Sequence, residues 1–162
     1  MKQFLINLDL HGGDFAPNSV LEGANIAYKN NHSIRFKLHS TKEVYEKYKK
    51  NFSQLFDMSD WIESENFILP EMKPSDALKK NNRKSSMSNA INQLKDDKSQ
   101  MVISAGNTGA MMAYSTVYLR TIENISRPAI ASLFPSTHHP VCFLDLGANS
   151  ECSSENLLEF AV

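Results

Sequence analysis

Short apolar runs alternate with amphipathic ones along most of the chain, and the period of each run predicts its element. Phe4 to Asp9 is a compact apolar run closed by a carboxylate and followed by the turn-prone His11-Gly12-Gly13-Asp14. A helix is expected to start between Pro17 and Ser19, because proline suits a first turn and Ser19 and Glu22 have capping-box spacing. Val20, Leu21, Ala24, Ala27 and Tyr28 then share one helical face. Ile34 to Leu38 alternates apolar and basic residues, as a half-buried strand does. Thr41 is placed to cap a second helix that turns Val44, Tyr45, Tyr48 and Phe52 inward.

Residues 53–82 carry no clean period. Phe67-Ile68-Leu69 reads as a short strand, Pro70 and Pro74 punctuate the stretch, and a flap or small insertion is the expectation there. The pattern recovers at Ser85-Ser86, after which Met87, Ala90, Ile91 and Leu94 mark a helix. Met101-Val102-Ile103 reads as a buried strand, followed by a glycine loop and a helix from about Gly109 to Ile122. Ala129 to Phe134 and Val141 to Leu144 have strand length, and Ser153 or Ser154 can cap a last helix with Leu157, Leu158, Phe160 and Ala161. The alternation predicts an α/β fold with a largely parallel sheet. The chain stops at Val162 inside that last apolar helix, which predicts a fragment of a longer domain.

Composition narrows the class. Length suits one domain with a real core. Seventeen Lys+Arg against eighteen Asp+Glu give a net charge of −1, which argues against a chain built for nucleic acid. The early charged residues rule out a secretory leader, and no apolar stretch reaches the length of a membrane span. A cytoplasmic setting follows, with reduced thiols at Cys142 and Cys152.

The sharpest chemistry lies in Ser104-Ala105-Gly106-Asn107-Thr108-Gly109, read as strand, loop, helix. Gly106 and Gly109 leave room for close approach, and the loop leads into a helix N-terminus, where free N–H groups and the dipole favour an anion. Ser104, Asn107 and Thr108 add side-chain donors. The spacing fits neither a Walker loop nor the dinucleotide fingerprint. Phosphate binding and a tight packing turn are the two readings.

A second segment, Asp9 to Pro17, also follows a strand, at the edge where open α/β sheets bind ligands. Asp9 and Asp14 serve there as either pocket or turn-capping groups. Asp145-Leu146-Gly147-Ala148-Asn149 repeats the strand-then-glycine pattern. Arg83 and Lys84 precede a helix start, where they contact phosphate, an acidic partner or solvent. His138-His139 are neighbours on a loop, poorly placed to share a metal, and the sequence gives no basis for a bound metal or organic cofactor.

Together these segments resemble the PlsX family of phosphate acyltransferases. The matching pieces are Asp9 with Gly12-Gly13-Asp14 and Ala16-Pro17, then Ser85-Ser86-Met87, Ser104 to Ala110, Arg127-Pro128-Ala129, and Asp145 with Gly147-Ala148-Asn149. The resemblance spans essentially the whole chain. It implies a three-layer fold similar to phosphotransacetylases and isocitrate dehydrogenase-like enzymes. It also implies transfer of an acyl group from acyl carrier protein to inorganic phosphate, a homodimer, and peripheral membrane contact. On this basis Asn107, Thr108 and Asp9 are expected to act in catalysis. Ser104, Gly106, Gly109, Gly12, Gly13, Asp14, Arg83 and Asn149 are expected to bind phosphate or substrate.

Two departures stand out: His11 occupies a position where the family usually has Met, and the family's second half is absent. The alternatives are a noncatalytic binding or assembly module and a phosphotransacetylase-like enzyme using acyl-CoA. Poor solubility or self-association is expected of the isolated chain.

Overall fold

In the computed structural model, residues 3–95, 99–149 and 151–162 are described, and the chain divides into two compact units, Met1–Leu119 and Arg120–Val162. The first holds four parallel strands: β1 (Phe4–Asp9), β2 (Ile34–Ser40), β3 (Asp60–Glu63) and β4 (Met101–Ile103), in the order β3-β2-β1-β4. Its helices are α1 (Asn18–Asn30), α2 (Lys42–Tyr48), α3 (Ser53–Asp57), α4 (Pro74–Ala77), α5 (Ser86–Asn92) and α6 (Thr108–Leu119), with a 3₁₀ turn at Lys80–Asn82. This is a mixed α/β fold with a parallel sheet flanked by helices.

The strand period of two separates the faces of β1 and β2. Ile6, Leu8, Phe36 and Leu38 meet Leu21, Ala24 and Tyr28 of α1 and Leu55 and Phe56 of α3 in one core. Full burial of a leucine such as Leu21 or Leu38 contributes about 2 kcal/mol of transfer free energy. The other face is polar. Asn7, Asp9 and His39 are buried there, and Asn7 Oδ1 lies 3.0 Å from His39 Nε2. α5 packs over β1 and β2 and buries Ser86 and Ser88. Its apolar side joins a second core of Ile68, Ala77, Met87, Ile91, Ala110 and Tyr114.

Several expectations from the sequence need correction. No strand forms at Phe67–Leu69; the neighbouring Asn66 makes only a single bridge, to Ser85. The strand of that region is Asp60–Glu63, whose adjacent Trp61 and Ile62 lie between two acids and so show no strand period. At α1 the expected start also differs in detail: Ser19 and Glu22 form no capping box. Pro17 is the cap residue, and Glu22 instead accepts from Asn18 Nδ2 at 2.7 Å. β4 is an edge strand, with Met101 and Ile103 nearly half exposed, rather than a buried one.

The second unit pairs β5 (Ala131–Phe134) with β6 (Val141–Leu144), antiparallel, and adds α7 (Ser154–Phe160). The link between these strands is too short for a crossover and permits only a hairpin. Phe134 and Phe143 meet edge to face at 4.9 Å, and Ser153 caps α7 in a reciprocal box with Asn156. The unit leaves Leu133 71% and Leu158 68% exposed. Among the described residues, no helix is long and apolar enough to cross a membrane.

Candidate functional site

β1 and β4 are parallel neighbours, yet the helices that follow them pack in different cores. α1 covers the Ile6 and Leu8 face, whereas α6 joins the core containing Val102, Met87 and Ile91. The helices after β1 and β4 therefore diverge at the C-terminal edge of the sheet, the edge where open parallel sheets bind ligands.

The two loops touch at backbone level. A Cβ on Gly12 would stand 2.7 Å from Gly106 N and 2.8 Å from Ala105 N, so only glycine lets the loops approach this closely. Gly13 follows at φ +107°, turning the chain away. Asp9, 2% exposed, binds both loops: Oδ2 accepts from Ser104 Oγ at 2.8 Å, and Oδ1 accepts from His11 N at 3.1 Å. Ser104 Oγ in turn accepts from Gly106 N at 3.2 Å. The Met87 methyl lies beneath, 3.0 Å from where a Gly106 Cβ would be.

Asn107 caps α6. Its Oδ1 accepts from Ala110 N at 2.9 Å. Its Nδ2 reaches the carbonyls of Pro70 and Met72, each at 2.8 Å, and of Leu69 at 3.3 Å. The side chain thus fixes the loop and the 69–72 segment, and its donors are engaged. Ser104 likewise gives its proton to Asp9. Thr108 is exposed at the first position of α6, and Gly109 packs against Pro74. Among the described residues the first-turn N–H groups of α6 at Thr108 and Gly109 have no acceptor, as helix geometry dictates. They face a cleft of about 410 Å3 lined by His11, Gly13, Asp14, Ile68, Pro70 and the Ala105–Gly109 loop.

His11 forms part of the cleft wall. Its ring stacks on Phe67, with centroids 4.5 Å apart and 5° between planes, and Nε2 accepts from Thr41 N at 3.2 Å. Burial lowers its pKa below the ordinary imidazole value, against the opposing pull of the Asp9 and Glu43 carboxylates. A larger apolar cavity of about 560 Å3 opens on the α1 face of the same loops, between Leu8, Gly23 and Ile103.

Asp9, Gly12, Gly13, Asp14 and the residues 104–109 are brought together, as the sequence grouped them. Arg83 is exposed and lies outside the lining of this cleft, while Lys84 pairs with Glu65 at the surface. Asn149 belongs to the second unit, where it closes a local turn. Its Nδ2 donates to Asp145 Oδ1 at 3.0 Å and to Pro128 O at 3.4 Å. Asp145 there adopts φ +58° and Gly147 φ +78°. Sequence reasoning missed Tyr114, whose buried hydroxyl sits 2.5 Å from Ala77 O and 2.8 Å from Asn82 O and anchors α6 beneath the loop. A tyrosine on an otherwise apolar helix face was its signal. Among the described residues, no cluster of three or more His, Cys, Asp or Glu could hold a metal ion.

A fatty acid synthesis protein model matches residues 4–162. The chain belongs to that family. It is 40% identical to a phosphate acyltransferase of Ehrlichia ruminantium, over 100% of this chain and 48% of the relative. A phosphate acyltransferase of Anaplasma phagocytophilum is 42% identical over 97% of the chain and 46% of its own length. One from Paramagnetospirillum magneticum is 38% identical over 97% and 44%. The chain spans about half the length of these curated relatives.

Proposed function

We propose that this chain is the phosphate-binding half of a phosphate acyltransferase, which converts acyl-[acyl carrier protein] and inorganic phosphate to acyl phosphate for phospholipid synthesis. The observation that carries the reading is the switch-point crevice, where an anion-ready helix N-terminus meets a loop locked by Asp9 and Gly12. The names of the relatives supply the acyl transfer.

Phosphate itself is the nucleophile, so the protein need not provide one. A phosphate oxygen adds to the thioester carbonyl carbon, and the tetrahedral oxyanion collapses to acyl phosphate as the C–S bond breaks. The carrier thiolate leaves and takes a proton from solvent. The loop's task is to fix phosphate beside the carbonyl and stabilise the oxyanion. In our assignment the N–H groups of Ala105, Thr108 and Gly109 and the Thr108 hydroxyl hold the anion. Asp9, Ser104 and Asn107 keep that loop rigid, and Gly13 and Asp14 shape the rim.

Acyl carrier protein as donor, a homodimer, and a cytoplasmic enzyme with peripheral membrane contact are proposed with it, supported by the family resemblance. The test is incubation of the chain, joined to the remaining half of a relative, with acyl carrier protein thioester and phosphate. Carrier thiol and acyl phosphate should appear in equal amounts and only with phosphate present. Thiol release without phosphate would contradict the reading. Thr108→Ala should lower turnover about a hundredfold or more, the scale of losing one oxyanion donor.

A further inference from the structure

His11 touches three segments at once. Its backbone N–H is held by Asp9 Oδ1, its ring lies flat on Phe67, and its Nε2 accepts the N–H of Thr41 at the start of α2. It lines both the cleft at the glycine loop and a second cavity of about 360 Å3 bounded by Thr41, Glu43 and Lys47. The Phe67–Met72 segment therefore has two clamps, the His11 ring at one end and the Asn107 amide at the other.

We infer that His11 is a positioning residue, which in its neutral form sets the Gly12-Gly13 loop against the Phe67–Met72 wall and so holds the anion cleft at its working width. This rests on the anion-binding reading above for its functional meaning. The chemistry of the ring supplies the condition: an imidazole that accepts at Nε2 carries no proton there. Protonation turns the acceptor into a donor facing the Thr41 N–H, and that contact is lost. The depressed pKa of the buried ring agrees with selection of the neutral form. The ionisable groups around it are Asp9 on β1, Asp14 on the loop, and Glu43, Lys47 and Tyr48 on α2.

The direction of the pH effect separates positioning from charge. A cation beside the cleft would by attraction alone tighten anion binding on acidification. Loss of the clamp weakens it. Sulfate is the probe, because its charge is constant over the range where phosphate and His11 titrate. Sulfate affinity of the chain should fall at least about threefold between about pH 8 and about pH 5. His11→Gln, whose amide oxygen can still accept from Thr41, should bind with wild-type affinity at the upper end and stay flat. His11→Met should be weaker there and also flat.

Affinity that holds or rises on acidification would overturn the inference. A second readout is the pH titration of the Thr41 and Gly13 amide resonances without any anion. Their movement with the His11 ring is expected, and fixed resonances while the ring titrates would equally overturn it. Should no sulfate bind at any pH while these amides follow the ring, the clamp stands and the anion-binding reading falls.

Discussion

Two turns in this chain share one pattern, an aspartate at or just after a strand's end followed by glycine, and the structure uses them in opposite ways. Asp9 reaches across to Ser104, ninety-five residues away, and Gly12 lies against the backbone of Gly106. Asp145 turns back on itself, its carboxylate accepting from Asn149, and a Cβ on Gly147 would meet nothing within 4 Å. The first glycine is demanded by tertiary approach and the second by backbone conformation alone, at φ +78°. The same grammar therefore joins two distant loops in one place and closes a turn on itself in the other.

Substitutions at matched positions sharpen that contrast, and the sole tryptophan, Trp61 on β3, reports the first unit by itself. Gly12→Ala should have the largest effect, because the new methyl meets backbone atoms that have nowhere to go. We expect a loss of about 3 kcal/mol in urea unfolding followed by Trp61 fluorescence, with phosphate binding abolished. An unshifted transition would mean the loops do not touch. Asp9→Ala comes next, at about 2 kcal/mol on the same probe, since it strips a charged acceptor from the Ser104 hydroxyl and the His11 N–H.

Gly147→Ala should cost about 1 kcal/mol, the strain of a left-handed conformation. That cost should appear in hydrogen exchange of the β5 and β6 amides and leave the Trp61 transition in place. Asn149→Ala should be smallest, about 0.5 kcal/mol in the same exchange experiment, because its bonds lie in a partly exposed turn. A loss of phosphate binding in either of these last two would break the distinction between the turns.

The sequence made the glycine loops legible because their constraints are local in type: strand, short turn, helix start. Helices α1, α5 and α6 and strands β1, β2 and β4 followed from apolar period. What stayed hidden was partnership. Nothing in Asp60-Trp61-Ile62-Glu63 announces an edge strand, since its two apolar residues are adjacent and its ends are acidic. The engagement of Asn107 with the carbonyls of Pro70 and Met72 depends on a segment without period, so a residue that reads as a free donor proves to be a cap and a clamp. Likewise His11 reads as an oddity in a turn until Phe67 and Thr41 are placed beside it.

In the proposed function the loop after β4 and the start of α6 receive inorganic phosphate. Amide resonances followed through a phosphate titration of this chain test it most directly. Saturable shifts are expected at Gly13, Ala105, Gly106, Thr108 and Gly109, with the Asp145–Asn149 turn unmoved. Shifts confined to the second unit, or none that saturate at the loop, would contradict it.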